Sequence, residues 1–102
     1  MARYKIDNRV VDTDKAEHWD EHKVWDGRNR ISVNTGSQWE HEELYRTRNG
    51  DYYLECWSDW QGTLPTAKFV SLKQACYWLL ANYYDESELP NDLQEFVDEI
   101  LI

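Results

Sequence analysis

The chain has little cysteine, proline or glycine: two, two and four residues among 102. Cys56 and Cys76 stand 20 positions apart and outside any CxxC pattern, which is too few for the disulfide framework of a small secreted scaffold. The glycines, at positions 27, 36, 50 and 62, are too scattered to build a glycine-rich phosphate loop. Long apolar runs are missing too. The stretch from Cys76 to Ala81 falls far short of the roughly 20 residues that a membrane helix needs. Met1 to Val10 is polar and has no apolar signal core, so residence in the cytoplasm is the expectation. Basic residues are scarce in the second half: residues 51–102 hold two Lys/Arg against ten Asp/Glu, whereas residues 1–50 hold nine against ten. From Asp85 onward seven acids occur without a base. A net charge of -9 argues against a protein that grips nucleic acid or a membrane directly, because phosphate contacts need clustered Lys and Arg.

What is present suffices for one core. Fifteen aromatic residues, six of them tryptophan, lie in a chain of single-domain length, and hydrophobic residues make up 41%. Asp7-Asn8 between Tyr4–Ile6 and Arg9–Val11 predicts a short hairpin. Asp14 with Glu17 has capping-box spacing, which predicts a short N-terminal helix over about Asp14 to Val24. Residues 26–38 read as loop around one short strand at Ile31 and Val33.

Asn49-Gly50 between two β-rich segments predicts a two-residue type I′ turn. That turn sets Arg46 opposite Tyr53 and Tyr45 opposite Leu54. One face then carries Tyr45, Thr47, Tyr52, Leu54 and Cys56 as the core side, and the other carries Leu44, Arg46, Arg48, Tyr53, Glu55 and Trp57. Ala67–Val70 reads as a third strand. Ser71 and Gln74 form a capping box, and Leu72, Ala75, Cys76, Leu79 and Tyr83 recur at helical spacing behind it. A second helix is expected from Asn91, with Leu93, Phe96, Val97, Ile100 and Leu101 on one stripe and Asp92, Glu95, Asp98 and Glu99 on the opposite arc. The sum is one α+β domain over residues 1–102. It combines an antiparallel sheet of three to four strands, built on the central Asn49-Gly50 hairpin, with two C-terminal helices packed on one face.

Few residues carry recognisable chemistry. His18-Trp19-Asp20-Glu21-His22 matches HxxEH, and on a helix its two imidazoles would lie one turn apart and could share a zinc ion. A third ligand and a walled cleft are not evident, so a solvated polar face is the simpler reading and no metal or cofactor is assigned. Cys56, Cys76 and His41 could join a structural zinc site, but inward-facing cysteines are more often core fillers. No serine stands in a GxSxG elbow, and no catalytic residue is assigned. Trp57, Asp59, Trp60 and Gln61 form an aromatic–polar segment that serves either as a core lid or, with Arg46 and Tyr53, as a partner-binding patch. The carboxylates Asp92, Glu95, Asp98 and Glu99 read either as a solvated face or as an interface. Their lack of compensating lysine favours the second, since exposed helices gain from Glu–Lys pairs.

Val11-Asp12-Thr13, Lys15-Ala16, Leu44-Tyr45-Arg46-Thr47, Gly50, Tyr52-Tyr53-Leu54, Trp60-Gln61-Gly62 and Ala75 with Trp78-Leu79 resemble a group of small bacterial proteins carried by phages, plasmids and other mobile elements. The similarity covers about two thirds of the chain and is strongest across the central hairpin. That group supplies no catalytic or binding residues to carry over, and its members do not share the HxxEH stretch. The resemblance implies a context shared with anti-defence inhibitors, including anti-CRISPR proteins. The resulting expectation is a non-enzymatic inhibitor, monomeric or weakly dimeric, acting in the bacterial cytoplasm as a DNA mimic. Its partner would be a host protein complex, a CRISPR effector or another nucleic-acid-binding protein. Asp92, Glu95, Asp98 and Glu99 would meet the partner's basic groove, with Arg46, Tyr53, Trp57 and Trp60 beside them. The alternatives are a regulatory protein-binding module of a mobile element and a small zinc-binding protein using His18 and His22.

Overall fold

Two tight turns with different backbones set the strand pairing. In the computed structural model, which describes residues 2–60, 62 and 64–102, β1 (Arg3–Ile6) and β2 (Arg9–Asp12) form the expected N-terminal hairpin. Asp7 and Asn8 both take positive φ, 50° and 65°, as a type I′ turn requires. The second hairpin joins β6 (Glu40–Arg46) to β7 (Tyr52–Ser58) and departs from the expected register by one residue. Arg46 faces Tyr52, Tyr45 faces Tyr53 and Leu44 faces Leu54. Its loop has three residues, not two: the Gly50 N–H donates to the Thr47 carbonyl at 3.0 Å, and the Thr47 N–H donates to Asp51 at 2.8 Å. Gly50, at φ 89°, takes the left-handed position that closes a type I turn.

The shift has a packing cause. A slip of one residue exchanges the faces of a strand, and the observed register sets leucine opposite leucine and tyrosine opposite tyrosine. Leu44, rather than Tyr45, therefore joins Tyr52 and Leu54 under the helices. The β7 residues keep their expected faces, and the β6 residues exchange theirs. The other face is covered as well. Ile6 and Val11 of the first hairpin pack on Tyr45 and Tyr53, with Phe69 at the margin.

The expected N-terminal helix is a correction. Only Thr13–Lys15 is helical, as one 3₁₀ turn, and Glu17–Asp20 forms β3, paired antiparallel with β6. Asp12, not Asp14, caps the turn, accepting from the Asp14 N–H at 3.0 Å. Too few apolar residues stood at helical spacing to hold a longer helix against the core, and the open edge of β6 takes the segment as a strand. β4 (Lys23–Trp25) and β5 (Arg30–Ser32) then form a separate small hairpin. β8 (Thr66–Val70) completes a four-stranded sheet of order β3-β6-β7-β8.

Helix α1 (Leu72–Ala81) starts at the predicted capping box, with both reciprocal bonds between Ser71 and Gln74 present. It buries Ala75, Cys76, Trp78 and Leu79. Tyr83 lies past its end at φ 66° and is exposed, as is Leu72, so these two leave the expected stripe and Trp78 joins the buried face. The last segment begins at Asn91 as expected, but as a 3₁₀ helix over Asn91–Phe96 that passes into α2 (Val97–Ile100). The Gln94 side-chain amide donates backward to the carbonyls of Glu86 and Leu89. Leu93 and Val97 are buried against α1 and the sheet, whereas Leu101 is exposed. The two cysteines are free, with Cys76 in the core and Cys56 packed at its margin. No helix is long and apolar enough to cross a membrane among the described residues.

Candidate functional site

The four carboxylates assigned to the C-terminal segment divide into two kinds. Asp92 accepts the Tyr52 hydroxyl at 2.9 Å and lies 3.5 Å from Arg46 Nε. Arg46 also reaches Glu17 at 3.0 Å and stacks over the Tyr52 ring. Asp92 and Arg46 therefore tie the last segment to the sheet. Glu99 pairs with Lys73 of α1 at 2.6 Å. Glu95 and Asp98 are exposed and make no ion pair among the described residues, and Glu86 joins them in that state. Asp85 caps the 3₁₀ turn Glu86–Glu88, which orders the acidic approach to Pro90. Hydrogen bonds from Ser87 hold its carboxyl below the usual range.

The aromatic residues expected beside these acids are dispersed. Tyr53 is fully buried beneath the first hairpin, so it offers no surface contact. Its hydroxyl has no hydrogen-bond partner among the described residues and is pushed up to about 12 by burial, then by the charges of Glu55 and Asp12. Trp57 is half-buried, with its ring 5.6 Å from that of His41. Trp60 is 59% exposed and leans on Trp39, which is 40% exposed, at 4.9 Å. Sequence reading passed over Trp39 because it lies in a loop with no pattern around it. This aromatic pair sits past the Ser58 end of β7, roughly 20 Å along the strand from Tyr52 and Asp92. Gln61 lies outside the described residues.

His18 and His22 do not form a helical pair. His18, on β3, stacks on Tyr45 on the hairpin-covered face, whereas the His22 ring meets Tyr83 edge-on at 4.7 Å. Strand alternation instead puts His18 on one face with Asp20, and pairing puts Asp20 opposite Glu43. Ligand atoms of these three lie within 4.8 Å of one another, with His18 Nε2 3.5 Å from Asp20. Glu43 in turn faces Glu55, which makes a row of three carboxylates across β3, β6 and β7. Directly opposed like charges are unfavourable unless something offsets them. Here the Tyr45 hydroxyl lies 3.1 Å from both Glu43 and Glu55, and Tyr4 donates to Glu55. Burial raises the Glu43 carboxyl, and the charges of Asp20 and Glu55 add to that rise. No sequence signal revealed the row, because it depends on the pairing of Asp20 with Glu43, 23 positions apart, and on the exact register of Glu43 with Glu55.

A third polar cluster is structural. Glu21 accepts from Ser32 Oγ at 2.6 Å and from the Glu42 N–H at 2.9 Å, and its other oxygen lies 2.5 Å from His41 Nδ1. His41 Nε2 lies 3.0 Å from Asp59. Serine, histidine and acid are adjacent here, but Ser32 is fully buried and bonded to the carboxylate, so the imidazole cannot activate it as a nucleophile. Asn82 adds a second tie by exchanging side-chain bonds with Asn34 and accepting the His22 N–H. Together these bonds fasten the β4–β5 hairpin to the sheet and α1. No family model, curated protein or solved structure matches the chain.

Proposed function

We propose that this protein acts by binding rather than catalysis, as an anti-defence inhibitor of the anti-CRISPR kind in a bacterial cytoplasm. Its C-terminal acidic surface would occupy the Lys/Arg-rich nucleic-acid-binding surface of a nuclease effector. The observation that carries the reading is the charge from Asp85 onward: seven acids and no base, with Glu86, Glu95 and Asp98 exposed and free of ion pairs among the described residues. Such a surface steers toward a basic groove at long range and competes there with phosphates. Asp92 and Glu99 belong to the fold through Tyr52, Arg46 and Lys73, and Asp85 and Glu88 cap the 3₁₀ turn between them, so the contact falls to the remaining three acids, Glu86, Glu95 and Asp98. Trp60 with Trp39 supplies the exposed aromatic contact in place of Tyr53.

The test uses a variant with Glu86, Glu95 and Asp98 changed to Lys. Capture from a bacterial lysate should recover a nuclease effector with the parent chain and lose it with the variant. The parent chain alone should displace target DNA from that effector. Undiminished inhibition by the variant would sink the charge-mimicry mechanism. Recovery of a transcription or replication protein would favour the regulatory-module alternative.

A second reading, a metal-binding protein, is favoured by the His18, Asp20 and Glu43 group. The 3.5 Å between His18 Nε2 and Asp20 is close to the ~3.3 Å expected between two ligands about 2.0–2.1 Å from a tetrahedral zinc. Calorimetric titration with Zn²⁺ should then give one site per chain that disappears in His18→Ala, and absence of heat would remove this reading.

A further inference from the structure

An open cleft of about 500 Å³ lies between β2 and the loop that closes the β6–β7 hairpin. Its charged lining is the reverse of the chain as a whole: Arg9, Lys15 and Arg48 against the single acid Asp12. Asp12 is already engaged, accepting from the Asp14 N–H at 3.0 Å and lying 3.5 Å from Arg3 Nε. Arg9 is held in place from two sides, by Asp51 at 2.8 Å and by the Phe69 ring 4.4 Å below its guanidinium. Lys15 and Arg48 are exposed and carry no ion pair among the described residues. Between the cations the lining is apolar, with Val11 buried, Ala16 half-buried and Val10 open to solvent.

These features define a ligand class. The cations suit an oxyanion, and Arg48 can bind a phosphate through two parallel N–H bonds. The volume lies within the range of about 300–1,000 Å³ of small-molecule sites and leaves room for more than an inorganic ion. The apolar strip suits a ring or sugar attached to that ion. The C-terminal carboxylates line no part of this cleft. We propose that this cleft binds an organic phosphate of mononucleotide size, with its phosphate on Lys15 and Arg48 beside Arg9 and its organic part on Val10, Val11 and Ala16. The site is independent of the C-terminal acidic surface, so neither proposal depends on the other.

The test is a ¹H–¹⁵N NMR titration of the full chain with AMP, with adenosine and inorganic phosphate run in parallel. AMP should shift the amides of Val10, Ala16 and Arg48 saturably with a millimolar or tighter dissociation constant. Phosphate should act on the same amides more weakly, and adenosine should not saturate them. Lys15→Glu with Arg48→Glu, at two exposed side chains that make no ion pair or hydrogen bond among the described residues, should weaken AMP binding at least about tenfold and leave the rest of the spectrum in place. No saturable shift by about 10 mM AMP, the weakest binding expected of such a site, would overturn the proposal. So would equal affinity in the double variant, or binding of adenosine or phosphate as tight as that of AMP.

Discussion

The two faces of the central sheet are covered by different means. Beneath α1 and the C-terminal segment the contact is almost wholly apolar: Leu44, Leu54, Leu79, Leu93 and Val97. Its polar ties, Tyr52 with Asp92 and Trp78 with Glu42, lie at the margin. Over the other face a two-stranded hairpin buries Ile6 and Val11 against Tyr45 and Tyr53, and the neighbouring positions are carboxylates and hydroxyls. Beside it, the β4–β5 hairpin is held by Glu21, His41 and Asn82 and contributes no residue to either apolar cluster. The difference teaches which elements stand on the hydrophobic effect and which on charge and hydrogen bonds.

Two substitutions of similar expected size separate those supports. Leu79→Ala empties a fully buried site under α1 and should cost about 3 kcal/mol in urea denaturation, with the whole molecule unfolding in one step. His41→Ala removes one of three hydrogen-bond partners of the buried Glu21, which keeps Ser32 and the Glu42 N–H, and should cost roughly 2 to 3 kcal/mol, the scale of a hydrogen bond to a charged group. Its hydrogen-exchange signature should differ, with protection lost first in β4 and β5. Equal loss of protection everywhere in both variants would erase the contrast.

Alkaline pH offers a third test. Burial raises Tyr4, Tyr45 and Tyr53 on the hairpin face and Tyr52 on the helix face, and nearby carboxylates add to each rise. A folded-state value above the unfolded one of about 10 means that the unfolded chain releases its protons first. The stabilisation is therefore complete below about pH 10 and is lost as pH climbs beyond it. The tyrosinate absorbance of these four rings and the loss of circular dichroism should appear together above that point. Separate titration of these four rings in a folded chain would contradict the packing described for them.

The smallest effects come from adjacent tyrosines on opposite faces. Tyr52→Phe removes the hydroxyl that Asp92 accepts and should cost about 1 kcal/mol. Tyr53→Phe removes a buried hydroxyl with no partner among the described residues and should be neutral or stabilising by up to about 1 kcal/mol. Equal losses in thermal melts would mean that the two faces treat their hydroxyls alike.

Legibility from sequence followed the same division. The helix side was written in local signals: the Ser71/Gln74 box marked α1, and the stripe of Leu93 and Val97 marked the last segment. The Asp7-Asn8 turn was equally local and correct. β3 was read as a helix because Asp14 and Glu17 imitate a cap, and only the distant edge of β6 decides otherwise. At Asn49-Gly50 the residues allow a loop of two or three, and the choice belongs to the packing of Leu44 and Tyr45. The acidic segment was visible as composition, but the capture of Asp92 by Tyr52 and Arg46 needed the tertiary fold. The carboxylate row, the His41 clamp and the cationic cleft likewise arise from residues far apart in the chain.

On the proposed function, the place of the charge, not its amount, makes the C-terminal surface a binding surface. Two triple variants test it: Glu86, Glu95 and Asp98 to Lys, and the exposed acids Asp14, Asp20 and Glu40 to Lys. Both change the net charge of -9 equally. Affinity for the captured partner, measured at one salt concentration, should collapse in the first variant and stay within a few-fold of the parent in the second. Equal weakening in both would contradict the account.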